Sequence, residues 1–394
     1  MSELILSKTD LEGLFAFCEN DALKAKAALR LSKLKLPGKK TEHYRYFSID
    51  RILSKSYTLF KPYIAEIKES EDVVIENGVL LSKPKNLEIS LCDSDFVDDE
   101  HFDNVYYVNH LLSKKAIKLD IKESMSLKIR HIFNKENSLI PYRIFINVDS
   151  GVEFELYEVF EGEEAKESLV FYGLDVNVGE RDRFDWIRVQ DIETPSYSMI
   201  ASHRVFVKDG GKFDIKSFDI GEGHIAHNLK ADLMRGSNAN AKHLIYTDKN
   251  AIRANITQLV HKEVEVEVSQ DARHVLKDNS TAIFDAIVKI EKDAKKAIAH
   301  QNNRSILLND KAYMVSKPQL EIYTDELEAS HGSTTGTIEE EEIFYMRSRG
   351  IDRKKARKMI IFGFMKELID SVEDERIKED ILERFERIYE RDDI

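Results

Sequence analysis

KPQLEIYTDELEASHGSTTGTIEEEEIFYMRSRGIDRKKARKMIIFG, residues 317–363, joins two kinds of structure. Gln319 to Tyr323 alternates polar and apolar residues, the period of two of a strand with one buried face. The period then changes. Thr337 and Glu340 have the T-x-x-E spacing of a capping box, and the acidic run that follows Ile338 suits the positive end of a helix dipole, so a helix is expected to start near Ile338. Gly350 is placed to end it in the left-handed conformation, and Asp352 to cap a second helix. Along that second helix Ala356, Met359, Ile360, Gly363 and Phe364 form one apolar face, while Ile361, Phe362, Met365 and Ile369 form another. A helix apolar on two sides needs cover on both, from the chain's own last helix or from another protein. Residues 329–336 read as a loop of small residues between strand and helix. His331 is the one group there that titrates near neutral pH or ligates a soft metal, although a lone loop histidine is more often simply solvated.

Working outward, residues 105–323 read as short strands with almost no helix, punctuated by Asp, Asn and Gly. Three segments line up when Ala251, Ala282 and Ala312 are superposed, at a spacing of about thirty residues. A repeat of that order points to stacked coils of a β-solenoid or to propeller blades, and the short turns favour the solenoid. Further upstream, Asn77-Gly78 predicts a type I′ hairpin within residues 73–83, followed by a strand over 87–91 and an acidic loop over 93–100. Asp10 and Asn20 are placed to cap two short helices, the second ended by Leu36-Pro37-Gly38. Residues 39–47, KKTEHYRYF, form a basic and aromatic connector read as an anchor for those helices.

Composition narrows the function classes. With 394 residues the chain can bury a large core, and 59 basic against 72 acidic residues give a formal charge of -13, which repels nucleic acid and anionic lipid. Cys18 and Cys92 stand far apart, as in a reducing cytoplasm rather than a disulfide scaffold, and Cys92 lies beside negative charges that disfavour a reactive thiolate. No signal peptide or membrane span is read from the sequence, so a cytoplasmic protein is expected. His224 and His227 stand three apart, which in a strand puts them on opposite faces rather than on one metal ion. Gly210-Gly211-Lys212 lacks the spacing of a phosphate-binding loop, and no nucleotide hydrolysis is expected of the chain itself.

The strings K-P-Q-L-E-I-Y, S-H-G-x-T-x-G and E-E-x-I-F-Y-x-R-S-R-G-I, with A-H-Q-N-N-R-S-I-L-L from Ala299, resemble the C-terminal signature of the SufB/SufD family of iron-sulfur cluster assembly proteins. The histidine turn is similar to the SufD form. The resemblance is dense from about His300 to Gly363, and the connector at residues 39–47 resembles a SufD segment with Tyr44 in a tryptophan position. It implies a mainly β fold with α ends: a right-handed parallel β-helix over residues 105–330, flanked by a helical and mixed α/β region over 1–104 and a helical domain over 331–394. It also implies a non-catalytic scaffold that pairs with a SufB-like chain and binds a SufC-type ABC ATPase. His331 becomes a possible ligand to a transient cluster at the partner interface, the isolated chain holding no cofactor tightly; Ala329 stands where many SufD-like chains carry a cysteine. Tyr345, Arg347, Arg349, Gly350, Phe362 and Phe364 match the part implied to dock the ATPase. Two alternatives stay open: a SufB-like homodimer, and a β-helical polysaccharide lyase or hydrolase.

Overall fold

The computed structural model describes residues 3–38, 40–93, 97–162 and 165–391, with side chains as far as residue 388. The expected acidic loop at 93–100 and the start of the connector at residue 39 lie partly outside these. In chain order the elements are β1 (Glu3–Leu4), α1 (Leu11–Phe15), α2 (Asp21–Leu34), α3 (Ile49–Leu53), β2 (Tyr57–Leu59), β3 (Lys68–Glu69), β4 (Val73–Glu76), β5 (Val79–Lys83), β6 (Ile89–Cys92) and α4 (Asn104–Leu112). There follow β7 (Ala116–Ile121), β8 (Met125–Ile132), β9 (Ser138–Val148), β10 (Glu153–Glu161), β11 (Leu169–Val178), β12 (Arg183–Ile192), β13 (Ser198–Val207) and β14 (Lys212–Gly221). The remainder is β15 (His224–Leu233), β16 (Asn238–Thr247), β17 (Ile252–His261), β18 (Glu267–Leu276), β19 (Thr281–Ile290), β20 (Ala297–Leu307), β21 (Tyr313–Ile322), β22 (Leu327–Gly336), α5 (Glu340–Ser348), α6 (Arg353–Ile369) and α7 (Glu375–Arg391).

The expected β-solenoid is present, with about 8 turns. From β8 onward each turn gives one strand to each of two parallel sheets, the even strands to one and the odd strands to the other. Alternate residues therefore point into the space between the sheets, and stacking turns buries them as lanes. One lane of the even sheet runs Phe154, Phe184, Phe213, Ala239, Val268, Ala299, Ala329. Its three phenylalanines stack at 5.8 and 5.7 Å, each such pair adding about 1 kcal/mol to its burial. The neighbouring lane, Leu127, Leu156, Trp186, Ile215, Ala241, Gln270, Gln301, His331, turns polar towards its end. One polar cluster inside the stack is paired: Glu158 accepts from Trp186 Nε1 at 2.7 Å and lies 2.9 Å from His131 Nε2. His243 and His274 flank the Phe284 ring at 6.4 and 6.0 Å.

The three aligned segments do stack as neighbours, on β17, β19 and β21, but Arg253, Ala282 and Met314 share a level, a slip of two residues from the superposed alanines. An even slip leaves every side chain on its expected face. The Asn77-Gly78 hairpin is present, with φ of 49° and 79° at its two corner residues. Asp10 and Asn20 cap α1 and α2 as expected, by accepting from Gly13 N and Leu23 N.

Three expectations need correction. The stretch read as strands with almost no helix opens on α4, whose nine residues are all buried, so that no exposed face marks it as a surface helix. Residues 329–336 are not a loop but the second part of β22, paired in parallel with β20 from Ala297 opposite Leu327 to Ile306 opposite Gly336. Small residues mimic a turn, yet the exposed edge of β20 supplies a ladder for them, and the last strand runs past the boundary drawn at 330. Thr337 makes no capping box: α5 begins at Glu340 behind Glu339 without a side-chain cap, because Thr337 still belongs to the extended link from β22.

The N-terminal region packs on the outer face of the odd sheet through α4 and the connector. Asp103, fully buried, accepts from Tyr44 OH at 2.8 Å, Asn228 Nδ2 at 2.7 Å, the Val105 amide at 2.9 Å and the Ser202 hydroxyl, with His43 Nε2 at 3.3 Å. Burial alone would raise its pKa, but the His43 bond and the neighbouring donors hold it at about 2. The connector is thus an anchor, with Tyr44 and Phe47 buried. On the opposite face, Ile361, Met365, Leu368 and Ile369 of α6 and Ile377, Ile381 and Phe385 of α7 cover Val159, Val189, Phe218 and Leu244 of the even sheet.

Candidate functional site: the open end and the helical arm

The two ends of the stack differ. At the N-terminal end the antiparallel hairpin β4–β5 and strand β3 close the even sheet, and β1–β2 and β6–β7 close the odd one. At the C-terminal end β21 and β22 are the last strands of their sheets among the described residues. Their outer backbone edges are bare, the arrangement that invites pairing with another chain.

His331 stands on β22, opposite Gln301. Leu327 and Ala329 on the same face pack on the interior core, and Ser333 Oγ lies 2.8 Å from Ser316 Oγ of β21. The histidine therefore belongs to the inward face of the final turn, and it is exposed because no further turn covers it. On the other face, His300 Nδ1 lies 2.8 Å from Ser330 Oγ. Cys92, half-buried on β6, sits at the opposite end of the stack, and Cys18 packs among the N-terminal helices. Among the described residues no group of three or more His, Cys, Asp or Glu is placed to hold a metal ion. Histidine without a nearby thiolate is an incomplete donor set for an iron-sulfur cluster, so His331 fits as one ligand of a site completed from outside the chain. His224 and His227 lie on opposite faces of β15, as their spacing requires; the His227 ring stacks on His203 at 5.9 Å.

Beyond β22 the chain forms an arm. Gly350, at φ 84°, ends α5 as expected, and Asp352 caps α6 by accepting from Lys355 N. Of α5 only Ile343 is buried, and of the first half of α6 only Ala356. Arg353 grips Glu340 through two bonds of 2.6 and 2.8 Å, so the two helices form one body; this guanidinium also holds the Glu340 carboxyl below the usual range. Tyr345 is 61% exposed, and Arg347, Arg349 and Gly350 are exposed with it, the Arg349 guanidinium lying 5.2 Å from the Tyr345 ring. Phe362 and Phe364 are half-buried, and Phe364 packs towards the solenoid.

Of the two apolar sets of α6, the second is the solenoid-facing one: Ile361, Met365 and Ile369 are buried. It is Met359, 46% exposed, and Ile360 on the first set that face away. Periodicity could not say which of two apolar sides meets the sheet. Phe344, 72% exposed, was missed altogether, and so was the depression of about 490 Å³ lined by Glu341, Glu342, Tyr345, Met346 and Ile360. The signal was available, since a helix with one buried position must expose the aromatic next to it.

No helix among the described residues is long and apolar enough to cross a membrane. The family model for the SUF system FeS cluster assembly SufBD core domain matches residues 131–364. The iron-sulfur cluster assembly protein SufD of Escherichia coli is 28% identical over 275 residues, 68% of this chain and 64% of that protein. SufD of Bacillus subtilis is 32% identical over 131 residues, 33% of this chain and 30% of its own length, and a SufBD family protein of Pyrococcus horikoshii is 39% identical over 101 residues, 26% and 22%. The matches thus span less than two thirds of these relatives. The matched core takes in the solenoid from the end of β8, the edge strand with His331 and most of the arm, and the chain belongs to the SufBD family as a SufD-like member.

Proposed function

We propose that the chain is a non-catalytic, cytoplasmic scaffold subunit in Suf-type iron-sulfur cluster assembly. Its open end pairs with a SufB-like chain, and its arm docks a SufC-type ABC ATPase. The observation that carries this reading is the placement of His331: exposed at the unpaired end of the stack, on the interior face, with both thiols far away. A ligand so placed completes a cluster site only with donors brought by a partner. The arm supports the second half of the reading, because an exposed mixture of Phe344, Tyr345, Met359 and arginines has the composition of an interface hot spot.

Co-expression with a SufB-like chain and a SufC-type ATPase tests both contacts. The intact chain is expected to co-purify with both, and deletion of residues 340–391 to remove the ATPase while the SufB-like chain stays bound. Substitution of His331 by alanine should leave all three together but lower the iron bound after anaerobic reconstitution. A stable, stoichiometric cluster on the isolated chain would contradict the proposal. The same bare edges also admit a second copy of this chain, and a mass of two protomers in the absence of any SufB-like partner would favour the homodimer.

A further inference from the structure

The start of α6 runs against the chemistry of a helix end. The first turn is the positive end of the dipole and favours carboxylates, yet α6 opens on Arg353, Lys354 and Lys355 with no acidic residue in that turn; only the cap, Asp352, is acidic. Arg353 and Arg357, and Lys354 and Lys358, repeat like charge one turn apart, which weakens a helix further. Glu340 accepts two bonds from Arg353 and feels Arg347 and Arg357 as well, so a single carboxylate faces three guanidinium groups. Arg347, Arg349 and Lys355 are exposed. Across residues 343–366 eight side chains are basic and one is acidic, a surplus of seven that leaves the rest of the chain at -20 against the formal total of -13. A cationic cluster that opposes its own helix dipole is poorly explained by local stability, and such conflicts mark functional surfaces.

The cluster is presented from a fixed base. Ile361, Met365, Leu368 and Ile369 seat the later turns of α6 on the even sheet, where the buried Arg273 donates to the main-chain carbonyl of Phe364 at 2.7 Å and to Glu367 at 2.6 Å. Phe344, Tyr345 and Met359 are exposed beside the cations. A nucleic acid or an anionic membrane extends past the arm and meets the repulsion of the acidic body, whereas a compact acidic patch on a protein touches the arm alone. We propose that the basic turns of the arm are a steering element: they fit an acidic surface on the SufC-type ATPase and set how fast it associates, while the aromatic and aliphatic contacts set how long it stays. The identity of the partner rests on the ATPase-docking reading; the sign of its surface rests on the charges described above.

The test uses the full chain and a SufC-type ATPase, with association and dissociation followed by stopped flow. Between about 50 and 500 mM NaCl the association rate of the wild type is expected to fall about tenfold or more, while the dissociation rate stays within about threefold. R347E/K355E should associate about tenfold more slowly at the lower salt and lose most of the salt dependence, whereas R347K/K355R, which keeps the charge, should associate within about twofold of the wild type. K355E alone should slow association yet raise the Tm of the isolated chain, because a carboxylate suits that end of α6; a lysine kept for the fold would lower it when replaced. An association rate indifferent to salt, a charge-reversed chain that associates like the wild type, or a Tm lowered by K355E would each overturn the proposal. So would self-association of the isolated chain that R347E/K355E abolishes, which would make a second copy the occupant. If the wild type binds no ATPase at either salt, the docking reading falls, and titration with a short glutamate peptide, duplex DNA and phosphatidylserine vesicles decides the rest. Capture of the peptide alone, lost in R347E/K355E, upholds an acidic protein surface, and any other pattern overturns it.

Discussion

Acid should unfold this protein by a route written in its interior. Burial lowers the pKa of His101 and His261 to about 4 and of His243 and His274 to about 3. In the unfolded chain each titrates near the ordinary histidine value of about 6.5, so their contribution is complete above that pH and is lost as the pH falls towards the folded values. Two carboxyls oppose them, Asp175, raised by burial, and Asp185. Burial beside Asp214 raises Asp185 to about 6 despite Arg183 and Lys216, so its contribution is present at low pH and lost as the pH rises through 6. At pH 5 these four imidazoles and Asp185 leave the unfolded state holding about three more protons than the folded one, a slope of about 4 kcal/mol per pH unit. His224, also lowered to about 4, and His110, His203 and His227, pushed down by burial, add to it. Between pH 6.5 and pH 5 stability should fall by roughly 5 kcal/mol, comparable to the whole stability of many domains. Urea unfolding followed by circular dichroism across that range measures the slope directly. Replacing His243 and His274 together by glutamine should reduce it by about two protons. A stability that is flat from pH 6.5 to pH 5, or a slope untouched by the double substitution, would refute the reasoning.

Three further outcomes follow from single contacts. Asp103→Ala strands the donors of Tyr44, Asn228 and Ser202 and should cost about 3 kcal/mol, seen as protease cleavage within residues 1–104 before the solenoid is attacked. Gly173→Ala would place a methyl 2.2 Å from the Arg143 guanidinium, which is pinned by Asp175 at 2.5 Å; a loss of roughly 3 kcal/mol and a lower Tm by calorimetry are expected, with no change expected of a serine-for-alanine swap at an exposed site. Phe385→Ala removes the ring that meets Phe218 edge-on at 6.4 Å and should cost roughly 3 to 4 kcal/mol, read as faster hydrogen exchange over α7.

Much of this architecture could be read without coordinates, because a solenoid repeats one local rule. Alternation in Gln319–Tyr323, the Asn77-Gly78 corner and the thirty-residue spacing all express contacts between residues close in sequence or one turn apart. What stayed hidden depended on a neighbour. Residues 329–336 become a strand only because β20 offers its edge, α4 is a short helix buried on every side, and which side of α6 faces the sheet is decided by Phe218 and Leu244. His331 was legible as a residue, but its position at the mouth of the interior was not. Arg273 left no trace in the local pattern, since its partners lie about ninety residues further along the chain.

The unequal ends of the stack set a limit on assembly. Parallel strands with bare edges at both ends would add copy after copy into a filament, as amyloid does. Here the hairpin and the short N-terminal strands occupy one terminus, so that among the described residues the long bare edges, those of β21 and β22, lie together at the other. A union across that end is therefore expected to stop at a pair, which the mass of the assembly in solution would check.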